Sequence, residues 1–329
     1  KLRATLSLGA VLSVLGLGCQ PEAGLAASAT ENNPRPYVVA TSGVLADLAT
    51  WLLGGAGEVE QWMDEGVDPH RFMPRRGHLA QLRRASVVLT HGPGIEGSLS
   101  SVLSSLPDSV LVICTDGGDG GAGLHNWHDP ETWSDQVVRV ANALASEGGD
   151  REGVRRRGAE RANALQALAA AERSRFSELP KSRRLLVTVH GAFPGLGRCL
   201  DLEVASVSGN STGLEPGLGR IHGLIQQVME RRLPVIFPEV GVPESMLRQV
   251  AARCRSRGLQ VVLGQPLLSG PNAMPGSSAV SQRPGGAPGM SALGRVGRIF
   301  RTNTNRIYSG LTCGPERTPT AVPILDRKR

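Results

Sequence analysis

A chain of 329 residues with 40% hydrophobic and 20% charged residues is globular in class and long enough for two domains, each with its own core. Aromatic residues make up only 3%, which leaves the cores aliphatic and offers no platform of rings for stacking bases. The formal net charge of +7 comes from thinly spread basic residues, with arginine dominant, so it reads as a compositional habit and no nucleic-acid partner is expected.

The chain opens on KLRATLSLGAVLSVLGLGCQ, with a basic start, an apolar stretch from Leu6 to Leu17 and a small residue before Cys19. This is the pattern of a secretory signal, too short to span a membrane stably. GLGC resembles the cleavage box of bacterial lipoproteins, in which the cysteine is acylated and becomes the mature N-terminus. Residues 1–19 are therefore expected to be a lipoprotein-type signal peptide, with attachment to the membrane through lipid on Cys19. An ordinary cleaved signal with an incidental cysteine is the blander alternative. Residues 20–35, polar and rich in proline and alanine, suit a flexible tether. Export places Cys114, Cys199, Cys254 and Cys313 where disulfides form, but four cysteines allow three pairings and their spacing selects none.

From residue 36 short apolar runs alternate with helical patterns. PYVVATS, EVEQWM, SVVLTHG and DSVLVICT read as strands, with helices in GVLADLATWLLGG, GHLAQLRRA and GIEGSLSSVLSSL between them. Such alternation predicts a parallel sheet with right-handed crossovers. TDGGDGGAGLHNWHDP is a loop by its glycines and aspartates. The rhythm then breaks, first for the helix of PETWSDQVVRVANALASEGG and then for one long arginine- and alanine-rich helix. Alternation resumes with RRLLVTVH, LEVASVSG, LPVIFPEVG and LQVVLG as strands. The spacing predicts an α/β fold of two parallel-sheet lobes, residues 36–150 and 181–315, joined by one long rigid helix across 151–180. A Pro/Gly/Ser-rich loop spans 265–290, a last helix follows it, and 316–329 is a basic tail.

On this map His70 lies in the loop after the second strand, His125 in the glycine-rich loop after the fourth, and His190 at the end of the first strand of the second lobe. Ligands of parallel α/β sheets bind at the carboxyl ends of the strands. Two facing lobes would bring the three imidazoles to one interlobe cleft, a nitrogen-rich set suited to zinc. The bland reading is three unrelated histidines in loops. His78 near a helix start, His91 at a strand end and His222 on a helix are read as structural or solvated.

YVVATSGVLADLATWL, GVDPHRFMPRRGHLAQLRRASVVLTHGPGIEGSL, HNWHDPETW, VTVHGAFPGLG and LPVIFPEVGVPESMLRQVA follow one another in the order and spacing of a known family. Over roughly residues 36 to 312 the chain resembles the metal-binding cluster of solute-binding proteins, the zinc and manganese receptors of ABC importers. The resemblance implies two α/β lobes linked by one long helix, with the metal in the cleft between them. It implies His70, His125 and His190 as metal ligands and Zn2+ as the bound ion, with Mn2+ the alternative. Histidine rather than glutamate at 190 favours zinc. It also implies a disulfide between Cys254 and Cys313, and an acidic residue, Glu96 or Glu239, that either orients a ligand histidine or caps a helix.

Two departures accompany it. Gly270 stands where the family offers a carboxylate ligand, and DGGDGGAG lacks the histidine-rich loop of zinc members. Water, Glu65, Asp68 or His128 remain as candidates for the fourth position. An open three-ligand site also suits catalytic zinc, but no general base accompanies a helix-borne zinc signature, so the chain is read as no enzyme. The expected function is an extracytoplasmic binding protein, in the periplasm or on the outer face of a bacterial membrane. It would act as a monomer that delivers its metal to an ABC permease. The alternative is a degenerate relative that serves as a surface adhesin or scaffold with weak or altered metal binding.

Overall fold

A computed structural model describes residues 35–115, 124–208, 218–273 and 290–312. The signal, nearly all of the tether, Cys313 and the basic tail lie outside these residues, so the expectations placed on Cys19 and on a Cys254–Cys313 bond do too.

The first lobe is built on β1 (Tyr37–Ala40), β2 (Glu58–Gln61), β3 (Val87–Thr90) and β4 (Leu111–Cys114), all parallel, in the order β2-β1-β3-β4. The period of two explains how a strand can be buried on both faces. Val38 and Ala40 of β1, with Val87 and Leu89 of β3, enter the main core. Val39 and Val88 point the other way, into a smaller core with Trp62 and Leu82. Connections run through α1 (Gly43–Leu53), α2 (Arg76–Leu82) and α3 (Ser100–Leu103). Gly54, at φ +56°, ends α1 in the left-handed conformation that a side chain would oppose. The segment expected as a helix over GIEGSLSSVLSSL is only a 3₁₀ turn and one turn of α3. Its serines explain this, since Ser104 and Ser105 return their hydroxyls to the carbonyls of Ser100 and Val102.

The long helices follow. Asp129 caps α4 (Pro130–Ser146), its Oδ1 accepting the N–H groups of Glu131 and Thr132 ahead of a proline at the first position. The 26-residue α5 (Arg151–Phe176) spans about 39 Å. Gly158 lets it approach α4 closely, because a Cβ there would stand 2.6 Å from that of Ala141.

The second lobe holds β5 (Leu185–Thr188), α6 (Pro194–Leu200), β6 (Glu203–Ser206), α7 (Leu218–Glu230), β7 (Val235–Ile236), α8 (Ser245–Ser256) and β8 (Val262–Leu263). β5 pairs with β6 and β7 with β8, both parallel. The N–H of Phe237 donates to the carbonyl of Val187 at 2.8 Å and joins the two pairs in the order β6-β5-β7-β8. This repeats the order of the first lobe. β5 stops at Thr188, two residues before His190, which therefore lies beyond the strand rather than on its last position. Despite its two glycines, PGLGRCL forms α6. Gly197 is needed there, since a Cβ would meet Val204 Cγ2 at 2.5 Å and Leu202 O at 2.7 Å.

The expected last helix is α9 (Met290–Thr312), interrupted at Gly294 where φ is +59°. Both α5 and α9 bond to each lobe. Arg161 of α5 meets Asp47 of α1 at 2.7 Å, and Arg173 donates to the carbonyl of Cys199 in α6 at 2.9 Å. The backbone N–H of Arg295 in α9 donates to Asp47, and Asn303 exchanges two hydrogen bonds of 2.9 Å with the backbone of Leu268. One continuous core follows these helices from Leu45 and Trp133 to Phe193, Phe237 and Phe300. The single linking helix of the sequence reading is thus joined by a second one. Among the described residues no helix is long and apolar enough to cross a membrane.

Candidate metal centre

Each of the three histidines is fixed by a different local device. Asp68 caps the 3₁₀ turn Pro69–Arg71, its Oδ1 accepting the N–H of His70 at 3.0 Å, and so holds His70 where the loop after β2 turns back. His125 has φ +58° and ψ +36°, a left-handed conformation uncommon outside glycine, and it opens the 3₁₀ turn Asn126–His128. His190 follows β5 and is held by Glu239, which follows β7. Oε1 of Glu239 accepts the N–H groups of Val189 at 3.0 Å and His190 at 2.8 Å, and Oε2 lies against Nδ1 of the imidazole.

These devices bring one donor nitrogen of each histidine within 4.8 Å of the others. Nε2 of His70 and Nε2 of His125 are 3.1 Å apart, and the ring of His190 meets that of His125 edge-on at 5.4 Å. All three line one cavity of about 90 Å³, with Asp68 and Trp127 from the first lobe and Val240 and Gly270 from the second. Among the described residues, Nδ1 of His125 is buried without a hydrogen-bond partner. Burial, reinforced by His190, holds the His125 imidazole well below its ordinary pKa. Burial also lowers that of His70, while the Asp68 carboxylate pulls it back up. Imidazole nitrogens converging on one point are what a transition metal requires.

The candidates for a fourth position separate. His128 is fully buried and turns to the second lobe, its Nε2 2.9 Å from the carbonyl oxygen of Ser269 and its ring against Phe193. Burial pushes its pKa down to about 3. Glu65 is exposed. Asp68 lines the cavity while serving the backbone of His70. Gly270 lines it with no side chain to offer. A second group with metal-like spacing, Asp129, Glu131 and Cys199, is already balanced, since Arg198 meets Asp129 at 3.3 Å and Arg173 meets Glu131.

The other singled-out residues stand outside the cluster. His91 is buried, with Nε2 2.6 Å from Ser42 Oγ, and burial takes its pKa to about 3. Glu96 caps no helix. It accepts the hydroxyls of Thr41 and Thr90 and the N–H of His91, and burial raises it to about 7. His78 accepts the N–H of Arg75 and stacks on Trp62, and His222 is exposed on α7.

Sequence reading missed Asn272. Its Oδ1 accepts the N–H of Gly43 at 2.7 Å, its Nδ2 donates to Val67 O at 3.2 Å, and its own carbonyl accepts the N–H of Gly66 at 3.4 Å. It thereby ties the loop that carries His70 to the start of α1. Its place in a proline- and glycine-rich loop was the available signal, since such loops in compact domains are often functional.

The profile of a family described as zinc-uptake complex component A, periplasmic (ZnuA), matches residues 38–276. The zinc-binding protein TroA of Treponema pallidum (strain Nichols) is 30% identical over 247 residues, which are 71% of this chain and 80% of TroA. The manganese-binding lipoprotein MntA of Bacillus subtilis (strain 168) is 27% identical over 246 residues, 70% of this chain and 80% of MntA. The solved structure of the periplasmic zinc-binding protein TroA from Treponema pallidum superposes with a TM-score of 0.71 at 26% identity, covering 84% of this chain and 99% of that one.

Proposed function

Given that the chain belongs to the ZnuA family, we propose that His70, His125 and His190 together hold a divalent transition metal, zinc in preference to manganese. The chain is the metal-binding, substrate-binding component of an ABC importer and not an enzyme. The observation that carries the site is the convergence, within 4.8 Å, of three imidazoles from three separate strand-end loops.

Zinc takes neutral histidine nitrogen at tetrahedral positions, whereas manganese favours carboxylate and water oxygen. Among the described residues the cluster is all nitrogen. Water, or Asp68 from the cavity wall, completes the coordination. Glu239 orients His190 from behind, as carboxylates do for metal-bound imidazole. The lobes of residues 36–150 and 181–315 each supply part of the cleft, so their relative movement releases the ion to a permease. On this reading the protein is a monomer in the periplasm or on the outer face of a bacterial membrane, tethered by lipid on Cys19. The relative MntA is named a lipoprotein.

The deciding experiment is zinc and manganese titration of the chelator-stripped chain beside a His70→Ala, His125→Ala, His190→Ala triple variant. Tight one-to-one zinc binding, absent from the variant, is expected. No binding, or binding that survives the three substitutions, would overturn the site and move the adhesin or scaffold reading to the front.

A further inference from the structure

We propose that the face carrying Arg71, Met73, Arg75, Arg76 and Arg83 docks on the anionic headgroups of a phospholipid surface. The proposal rests on the extracytoplasmic reading above and adds a second, non-covalent contact with the membrane.

Residues 71–84, RFMPRRGHLAQLRR, contain five arginines and no carboxylate. α2 turns His78 and Leu82 inward, His78 stacking on Trp62 with ring centroids 5.0 Å apart. Arg75, Arg76, Leu79 and Arg83 are left exposed on the outside. Arg71, Arg75, Arg76 and Arg83 form no ion pair among the described residues. Elsewhere Arg157, Arg161, Arg173, Arg184, Arg231 and Arg248 each meet a carboxylate. This stretch therefore presents a run of basic side chains that make no ion pair, with Glu60 and Asp64 the carboxylates that act on His78 beneath it. Met73 is 69% and Leu79 40% exposed, so two large apolar side chains stand in water among the guanidinium groups.

The position of the face selects its occupant. Arg84 continues the row and lies 4.6 Å over the ring of Tyr37, the first residue of β1. The face thus adjoins the point where the chain enters the sheet from its N-terminal side. Residues 20–35 reach roughly 55 Å at full extension, so acylation at Cys19 keeps the face within reach of the lipid surface. Guanidinium groups pair bidentately with phosphate, and basic segments beside an anionic bilayer are drawn to it. A thioether side chain among them is suited to the apolar boundary beneath the headgroups.

The test uses a chain beginning at residue 19 with Cys19→Ser, which cannot be acylated, sedimented with vesicles of phosphatidylcholine alone or mixed with phosphatidylglycerol. Binding to the mixed vesicles only, weakened by salt, is expected. Arg75→Gln with Arg76→Gln should lower the partition about thirtyfold, at the roughly 1 kcal/mol each basic residue contributes near such a surface. The same variant should titrate zinc as the parent does. Equal binding to both vesicle types, or a double variant that binds as well as the parent, would overturn the proposal. No sedimentation, together with lost metal uptake by cells carrying the double variant, would assign the face to an acidic permease surface and equally overturn it. A chain that takes up no zinc yet sediments with the mixed vesicles would refute the metal site and leave this surface standing.

Discussion

Glu239 holds His190 from behind at three points, accepting the N–H groups of Val189 and His190 on Oε1 and setting Oε2 against Nδ1 of the ring. The two residues are 49 positions apart and both are buried, so the pair sets where the His190 ring stands. A carboxylate behind Nδ1 leaves Nε2 as the nitrogen available to a metal.

Glu239→Gln is expected to keep the backbone contacts while losing the charge, and to weaken zinc binding roughly 10–100-fold. Glu239→Ala should in addition destabilise the apo chain by about 1–3 kcal/mol, because two buried N–H groups lose their acceptor. Chelator-competition titrations and urea unfolding read the two effects separately. Unchanged affinity in the glutamine variant would mean that the carboxylate serves the backbone alone.

Gly270→Asp tests the vacant carboxylate position directly. A Cβ at Gly270 would come no closer than 4.0 Å to Ala273 Cβ and Asn272 N, and the residue lines the cavity. The added side chain therefore has room in the cavity wall. An added oxygen donor should raise manganese affinity more than zinc affinity, by roughly tenfold or about 1.4 kcal/mol. Parallel titrations with both ions give the ratio, and an unaltered ratio would show that the aspartate does not reach the three nitrogens.

Asn272→Ala should loosen the His70 loop. It leaves the N–H of Gly43 and the carbonyl of Val67 without their partner, at a cost of about 1–3 kcal/mol. Hydrogen exchange should quicken at Gly43 and metal should dissociate faster than from the parent. A variant with the parent's dissociation rate would confine Asn272 to a stabilising role.

Acid stability follows from three buried groups. His91 and His128 titrate at about 3 in the fold and near 6.5 when exposed, so the unfolded chain binds more protons between those values. Their contribution is intact above pH 6.5 and lost as pH falls, by about 1.4 kcal/mol per pH unit for each. Glu96 acts in the opposite sense. Raised from 4.5 to about 7, it keeps its proton in the fold, and its contribution is lost as pH rises through that window. Glu96→Gln should therefore gain stability relative to the parent as pH climbs from 4.5 to about 7, measured by urea unfolding across the window. A difference that stays flat with pH would show Glu96 ionised throughout.

The sequence by itself determined the alternation of strands and helices, the long helix α5 and the three histidines. Those signals are local: a period of two in YVVA and LLVT, glycine after α1, and a histidine in a loop just past a strand's carboxyl end. Local composition alone does not show α6, where Gly197 serves close packing against Leu202 and Val204. The tertiary structure alone decided which groups share a partner. His128 is three residues from His125, yet its side chain is taken up by Ser269, 141 positions away. Asn272 joins Gly43 across 229 positions, and Glu239 rather than Glu96 stands behind His190. Such pairings depend on how sheets and long helices pack, and neither periodicity nor spacing along the chain encodes them. The same holds for charge, since sequence counts the arginines while only the fold shows which of them have met a carboxylate.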